Sequence, residues 1–206
     1  MAFPSIFIIF VIFVVLFQYH LRKNMRQENI NREQFWNNEE KSLSTRRKEF
    51  HEDDYINPNL SKLSFPTVPS LNPGQTLHYQ QVKNSLHELS SMDLMNFSNL
   101  TNTELRIRFG TANQTVISQN EANYNSFLKS LANYGHLMIE FEEINEAIVA
   151  FEECIRLGSD YSDHFITLAQ LYLQKNQRYK VTDLIDKAES LKSLNRSIIL
   201  KKLASF

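Results

Sequence analysis

The chain has 206 residues, with 22 Lys and Arg against 23 Asp and Glu, and a formal net charge of -1 at pH 7. A surface of mixed sign offers no basic field for nucleic acid, and a single cysteine, Cys154, excludes both an internal disulfide and a cysteine-based metal framework. The prolines stand at 4, 58, 66, 69 and 73, so the long proline-free remainder, with glycine only at 74, 110, 135 and 158, lacks the turns of an all-β domain and reads as helices.

From Phe3 to Tyr19 the chain runs FPSIFIIFVIFVVLFQY without a charge. About seventeen residues at 1.5 Å rise reach roughly 26 Å, near the short limit for crossing a bilayer core. A cleaved signal peptide would carry positive charge before the apolar stretch and small residues at its end. Here the positive cluster, Arg22, Lys23 and Arg26, follows it, and the end is Phe17-Gln18-Tyr19-His20. The segment therefore reads as an uncleaved single-pass anchor over 1–23, inserted through residues 3–19. The positive-inside bias keeps the following domain in the cytoplasm, under a cell (inner) membrane.

Residues 24–76 form a polar stalk or linker. Its first half is helix-tolerant and is expected to extend the anchor helix. Its second half, INPNLSKLSFPTVPSLNPGQ, is expected to be extended or disordered. Pro66-Thr67-Val68-Pro69 has the PxxP form that SH3-type grooves accept, although a plain spacer explains it as well. Residues 77–127 are expected to hold capping helices: one near 81–97 through Val82, Leu86 and Leu89, then one opened by the capping-box spacing Thr101-Asn102-Thr103-Glu104 and stopped at Gly110. A longer helix is expected from about Asn113 to Phe141.

Over 128–195 the sequence resembles itself at a spacing of 34 residues. Leu131, Tyr134, Gly135 and Met138 recur as Phe165, Leu168, Ala169 and Tyr172, and Ala147, Phe151 and Cys154 recur as Val181, Ile185 and Ala188. Each copy sets small residues among large ones, which lets neighbouring helices approach closely while the large side chains fill the gaps. A last helix, 196–206, with Ile198, Ile199 and Leu203 on one side and Lys201 and Lys202 outward, is expected to cap the array.

These residues resemble the tetratricopeptide repeat, a helix–turn–helix unit of that length. Phe165, Leu168, Ala169 and Tyr172 fill the first-helix pattern, and Ala147, Phe151 and Cys154 the second. Met138 stands for the usual tyrosine, Val181 for an alanine, and Ser159 and Ser193 for the usual proline. The resemblance implies an all-α fold in which two helical hairpins stack, with a concave face lined by the first helix of each. It places Lys129, Asn133, His136 and Glu140, then Asp163, Thr167, Gln170 and Gln174, on that face, and a protein or peptide partner against it. Ala132 and His136 stand where the subfamily that grips a C-terminal carboxylate needs basic or amide groups, so that clamp is disfavoured.

No phosphate-binding loop, nucleophile elbow or dinucleotide fingerprint occurs, and no two of the six histidines have metal-ligand spacing on one helix face. The crowded Glu140, Glu142, Glu143 and Glu146 read as a solvated face. The expectation is a non-catalytic membrane-anchored adaptor or scaffold without cofactor, metal or small-molecule substrate. The alternatives are a structural subunit of a larger membrane complex and an organelle import-receptor-like protein.

Overall fold

The computed structural model describes residues 3–67 and 72–206, and the side chains of the first helix from Phe7 onward. The described residues are all-helical, with no strand, and hold eight α-helices. They fall into two units: one takes residues up to 48 with 101–113, the other 49–100 with 114–206.

The first unit is built on α1 (Phe3–Ser44), 42 residues without a break. By length and composition it can cross a membrane. Its apolar stretch is bare, with Phe7 67%, Phe10 60% and Phe13 62% exposed, which suits lipid rather than water. The polar continuation to Ser44 is the helical stalk expected from its composition. Near its end α1 meets α3 (Asn102–Phe109). Thr101 and Glu104 close the capping box that opens α3, Thr101 Oγ1 accepting from the Glu104 N–H at 3.3 Å and Glu104 Oε2 accepting from the Thr101 N–H at 2.7 Å. Glu39 accepts from Thr103 Oγ1 and pairs with Arg106 at 3.2 Å. Gly110 ends α3 at φ +84, where a Cβ would lie 2.4 Å from the Arg46 carbonyl oxygen, so no other residue fits.

The second unit is a helical array. α2 (Pro73–Ser90) packs on α4 (Gln114–Glu140), α4 on α5 (Ile144–Arg156), α5 on α6 (Ser162–Gln174), α6 on α7 (Arg178–Glu189), and α8 (Arg196–Leu203) lies against α6 and α7. The 34-residue spacing is carried into the backbone. Glu142 and Asn176 both take positive φ, 62 and 58. In the two turns the Glu143 N–H donates to the Met138 carbonyl and the Gln177 N–H to the Tyr172 carbonyl, each at 2.8 Å. Both hairpins thus close with the same left-handed helix end.

The expected packing residues form the core: Leu131, Tyr134, Gly135, Met138, Ala147, Phe151, Cys154, Phe165, Leu168, Ala169, Tyr172, Val181 and Ala188 are buried, and Ile185 packs against them half-buried. At Gly135 α5 packs tightly on α4, since a Cβ there would meet Phe151 Cε2 at 2.7 Å. α8 starts 34 residues after α6, in the register of a third first-helix. At the place of Gly135 and Ala169 it carries the buried Leu203, and at the place of Tyr134 and Leu168 the exposed Lys202. A leucine there takes the place of the small residue that lets the second helix of each hairpin approach closely. Ile198 departs from expectation: it is 51% exposed, and the inner face of α8 is made by the buried Ile199 and Leu203 with the half-buried Leu200.

The second half of the linker, expected to be extended or disordered, is in its described residues a strap fastened along α5. Two glutamates seven positions apart on α5 hold it. Glu146 accepts from the Ser64 N–H at 2.6 Å, the Ser64 hydroxyl at 2.7 Å and the Tyr134 hydroxyl at 2.9 Å. Glu153, 3% exposed, accepts from the Asn59 N–H at 3.3 Å and pairs with Lys62 at 3.3 Å and Arg156. Between these pins Leu63 is buried, and just past them Phe65 rests 5.1 Å from the Tyr134 ring. Pro66 lies in this strap, its carbonyl accepting from Tyr79. Val68 and Pro69 of the PxxP stretch lie outside the described residues.

Burial alone would raise the Glu153 carboxyl, but Arg156, the Asn59 N–H and Lys62 outweigh it and hold it below the usual carboxylate range. Glu153→Ala is expected to cost about 2 kcal/mol, since the pin is buried while Lys62 and Arg156 remain half-solvated. Thermal unfolding of the detergent-solubilised chain measures the loss. Faster amide hydrogen exchange at 59–64 than at 127–138 shows that the strap comes away before the array does.

Candidate functional site

The first helices of the two hairpins, α4 and α6, diverge and leave a groove of about 410 Å³. α4 lines it with Asn125, Ser126, Lys129, Ala132, Asn133 and His136, a stripe that follows one face of the helix. The start of α6 supplies Tyr161, Asp163 and His164 on the other side. Two contacts span the groove. Asp163 Oδ2 lies 2.9 Å from His136 Nε2, and the Tyr161 hydroxyl donates to Asn125 Oδ1 at 3.2 Å.

Of the eight residues expected on this face, Lys129, Asn133, His136 and Asp163 line the groove together. Glu140 lines a smaller hollow of about 220 Å³ with His78, Leu137, Asn133 and His136, between α2 and α4. Gln170 and Gln174 are exposed farther along α6, outside the groove lining. Thr167 corrects the expectation, for it is 8% exposed and belongs to the core side of α6. α6 is packed by three helices, α5, α7 and α8.

The sequence reading did not single out Asn125, Ser126, Tyr161 or His164. Asn125 and Ser126 lie one to two turns before the repeat pattern begins, on the part of α4 that overhangs the hairpin. His164 sits next to Asp163 but turns inward: it is 4% exposed, and its Nδ1 is 2.7 Å from Ser159 Oγ. Burial pushes the imidazole down to about 4, with nearby Asp163 and Asp160 opposing that shift and His136 adding to it. The ring is therefore neutral at pH 7.

The floor of the groove is tied to the core. The Phe151 ring, wholly buried, stands edge-on to His136 at 5.1 Å and 6.1 Å from His164. The same ring fills the space left by Gly135. Groove and hairpin packing thus share one side chain.

On the other side of the array a second groove, of about 320 Å³, runs between α5, α7 and the strap. Part of its charge is matched internally, Glu153 with Lys62 and Arg156, and Glu152 with Lys180 at 3.1 Å and the Tyr172 hydroxyl at 2.7 Å, while Asp183 and Lys187 also line it. The α4–α6 groove holds Lys129, which has no ion pair among the described residues, and exposed amides and hydroxyls with free hydrogen-bonding capacity.

The chain matches no protein-family model, and comparison with curated proteins and with solved structures finds no match either. What defines the class of protein is therefore its own architecture: an all-helical array of hairpins following a long apolar helix.

Proposed function

We propose that this protein is a single-pass membrane-anchored interaction module of tetratricopeptide type, whose α4–α6 groove takes a segment of a partner protein. The observation that supports it best is that Lys129, Asn133, His136 and Asp163, expected from the repeat register to share a face, line one groove. The groove is rimmed by polar groups and floored by Ala132 and the Phe151-backed histidines, a mixture suited to an extended peptide. α1 holds the module at the bilayer, and Arg22, Lys23 and Arg26 orient it with the array on the cytoplasmic side of the cell membrane. The role is adaptor or scaffold, without chemistry of its own.

Pull-down from gently solubilised membranes tests this reading. His136→Ala removes a 47% exposed side chain, so the unfolding midpoint is expected to change little while partner capture falls several-fold. Capture that is weak, salt-sensitive and lost in His136→Ala supports the adaptor. Stoichiometric co-purification that survives both salt and His136→Ala instead makes the chain a structural subunit docked through another surface.

A further inference from the structure

The hydroxyl of Ser159 is 1% exposed and accepts the Tyr161 N–H at 3.3 Å. Its own proton has one acceptor in reach, His164 Nδ1 at 2.7 Å. Were Nδ1 to carry the imidazole proton, that buried hydroxyl hydrogen would have no partner, at a cost of about 1–3 kcal/mol. The satisfied arrangement has Ser159 donating to Nδ1, and the ring proton then sits on Nε2. No protein group takes that Nε2–H among the described residues, and His164 lines the groove. The groove therefore has in its lining a mostly buried imidazole whose Nε2–H finds no protein acceptor among the described residues.

Two further features have the same polarity. α6 is 13 residues long, and its N-cap, Tyr161, makes no side-chain cap, so the positive end of the helix opens at the groove. Lys129 reaches the groove from α4 and has no ion pair among the described residues. The one carboxylate present, Asp163, is engaged by His136 at 2.9 Å.

We infer that the groove seats an acidic side chain of the partner segment, an Asp or Glu carboxylate that accepts from His164 Nε2 and takes Lys129 as its counter-ion. This rests on the reading of the groove as a peptide site, and it gives that site a specificity. The donor is preorganised, because Ser159 fixes the tautomer and Phe151 and Tyr161, 6.1 Å and 5.3 Å away, fix the ring.

The test uses the full chain in lipid nanodiscs and three pools of acetylated, amidated heptapeptides. Their central residue is Glu, Gln or Ala, and the flanking positions are mixed uncharged residues. Anisotropy gives affinities, and histidine-selective nitrogen labelling follows the His164 Nε2–H. The Glu pool is expected to bind roughly 10-fold tighter than the Gln pool and to move the His164 resonance. Lys129→Gln, at an exposed position, should remove most of that preference without altering the fold. Glu and Gln pools that bind equally, with shifts at Asn133 and His136, would overturn the acidic seat and leave the peptide groove standing. No shift at any groove residue with any pool overturns both.

Discussion

Gly135→Leu should abolish cooperative unfolding of the array, leaving a chain that keeps helical signal but loses a defined melting transition. The expectation comes from one distance. A Cβ at 135 would lie 2.7 Å from Phe151 Cε2 and 3.1 Å from both Cδ2 and Cζ, and Phe151 is wholly buried. A rigid ring in a filled core cannot step aside as the end of a lysine can. Even Gly135→Ala must move it. The overpacking penalty of about 1–3 kcal/mol is partly offset by the roughly 1 kcal/mol that alanine gains over glycine within a helix. Gly135→Ala should therefore lose about 1 kcal/mol net and disturb His136 and His164, which lean on the displaced ring. Adding Phe151→Leu to Gly135→Ala should recover part of that loss. Circular dichroism melts of the solubilised chain decide it, and a wild-type transition in Gly135→Leu would remove the hairpin packing from the account.

The second large effect is on acid stability. His164 titrates near 4 in the folded chain, against about 6.5 in an unfolded one. Between those values the unfolded chain binds a proton that the folded chain refuses, so stability must fall as pH falls. The contribution is intact above pH 6.5 and lost by about pH 4, amounting to about 3 kcal/mol. Glu153, held below the usual carboxylate range, adds acid sensitivity only at lower pH, once carboxylates begin to protonate. The two windows are separable in urea midpoints taken from pH 7.5 to 4. His164→Phe should start lower, because Ser159 loses its acceptor, yet run flat from pH 6.5 to 4.5. A wild-type midpoint that is equally flat there would mean that the imidazole is not sequestered.

How far the sequence carried these conclusions depended on how local the causes were. The capping box at Thr101 and Glu104 involves groups three residues apart, and it forms as read. The 34-residue pattern reports contacts repeated in each hairpin, so the same spacing reappears in the turn residues Glu142 and Asn176. The strap was opaque for the opposite reason. Ile56, Leu60, Leu63 and Phe65 look scattered in a proline- and asparagine-rich stretch, and Glu146 and Glu153, which hold the neighbouring Ser64 and Asn59, stand more than eighty residues away. α2 begins at Pro73, earlier than the apolar spacing suggested, although Asn72, Pro73 and Gln75 held a legible helix start: an N-cap, a first-turn proline and a capping box.

In the groove, register located Lys129, Asn133, His136 and Asp163, but it does not say how deeply a position is buried. Thr167 lies on the same register and faces the core. His164 has an ordinary place in the repeat. Its role as a buried donor follows from Ser159, five residues earlier, coming back against it at the helix start.

On the proposed function, the α4–α6 groove is the surface this module presents to its partner. Photo-cross-linking in native membranes tests it directly, with a benzophenone amino acid placed in turn at Ser126 and Asn133 in the groove and at Tyr179 and Leu194, which are 67% and 96% exposed elsewhere. The account predicts discrete adducts from 126 and 133, reduced by His136→Ala, and none from 179 or 194. Adducts confined to 179 or 194, with the groove positions silent, would contradict it.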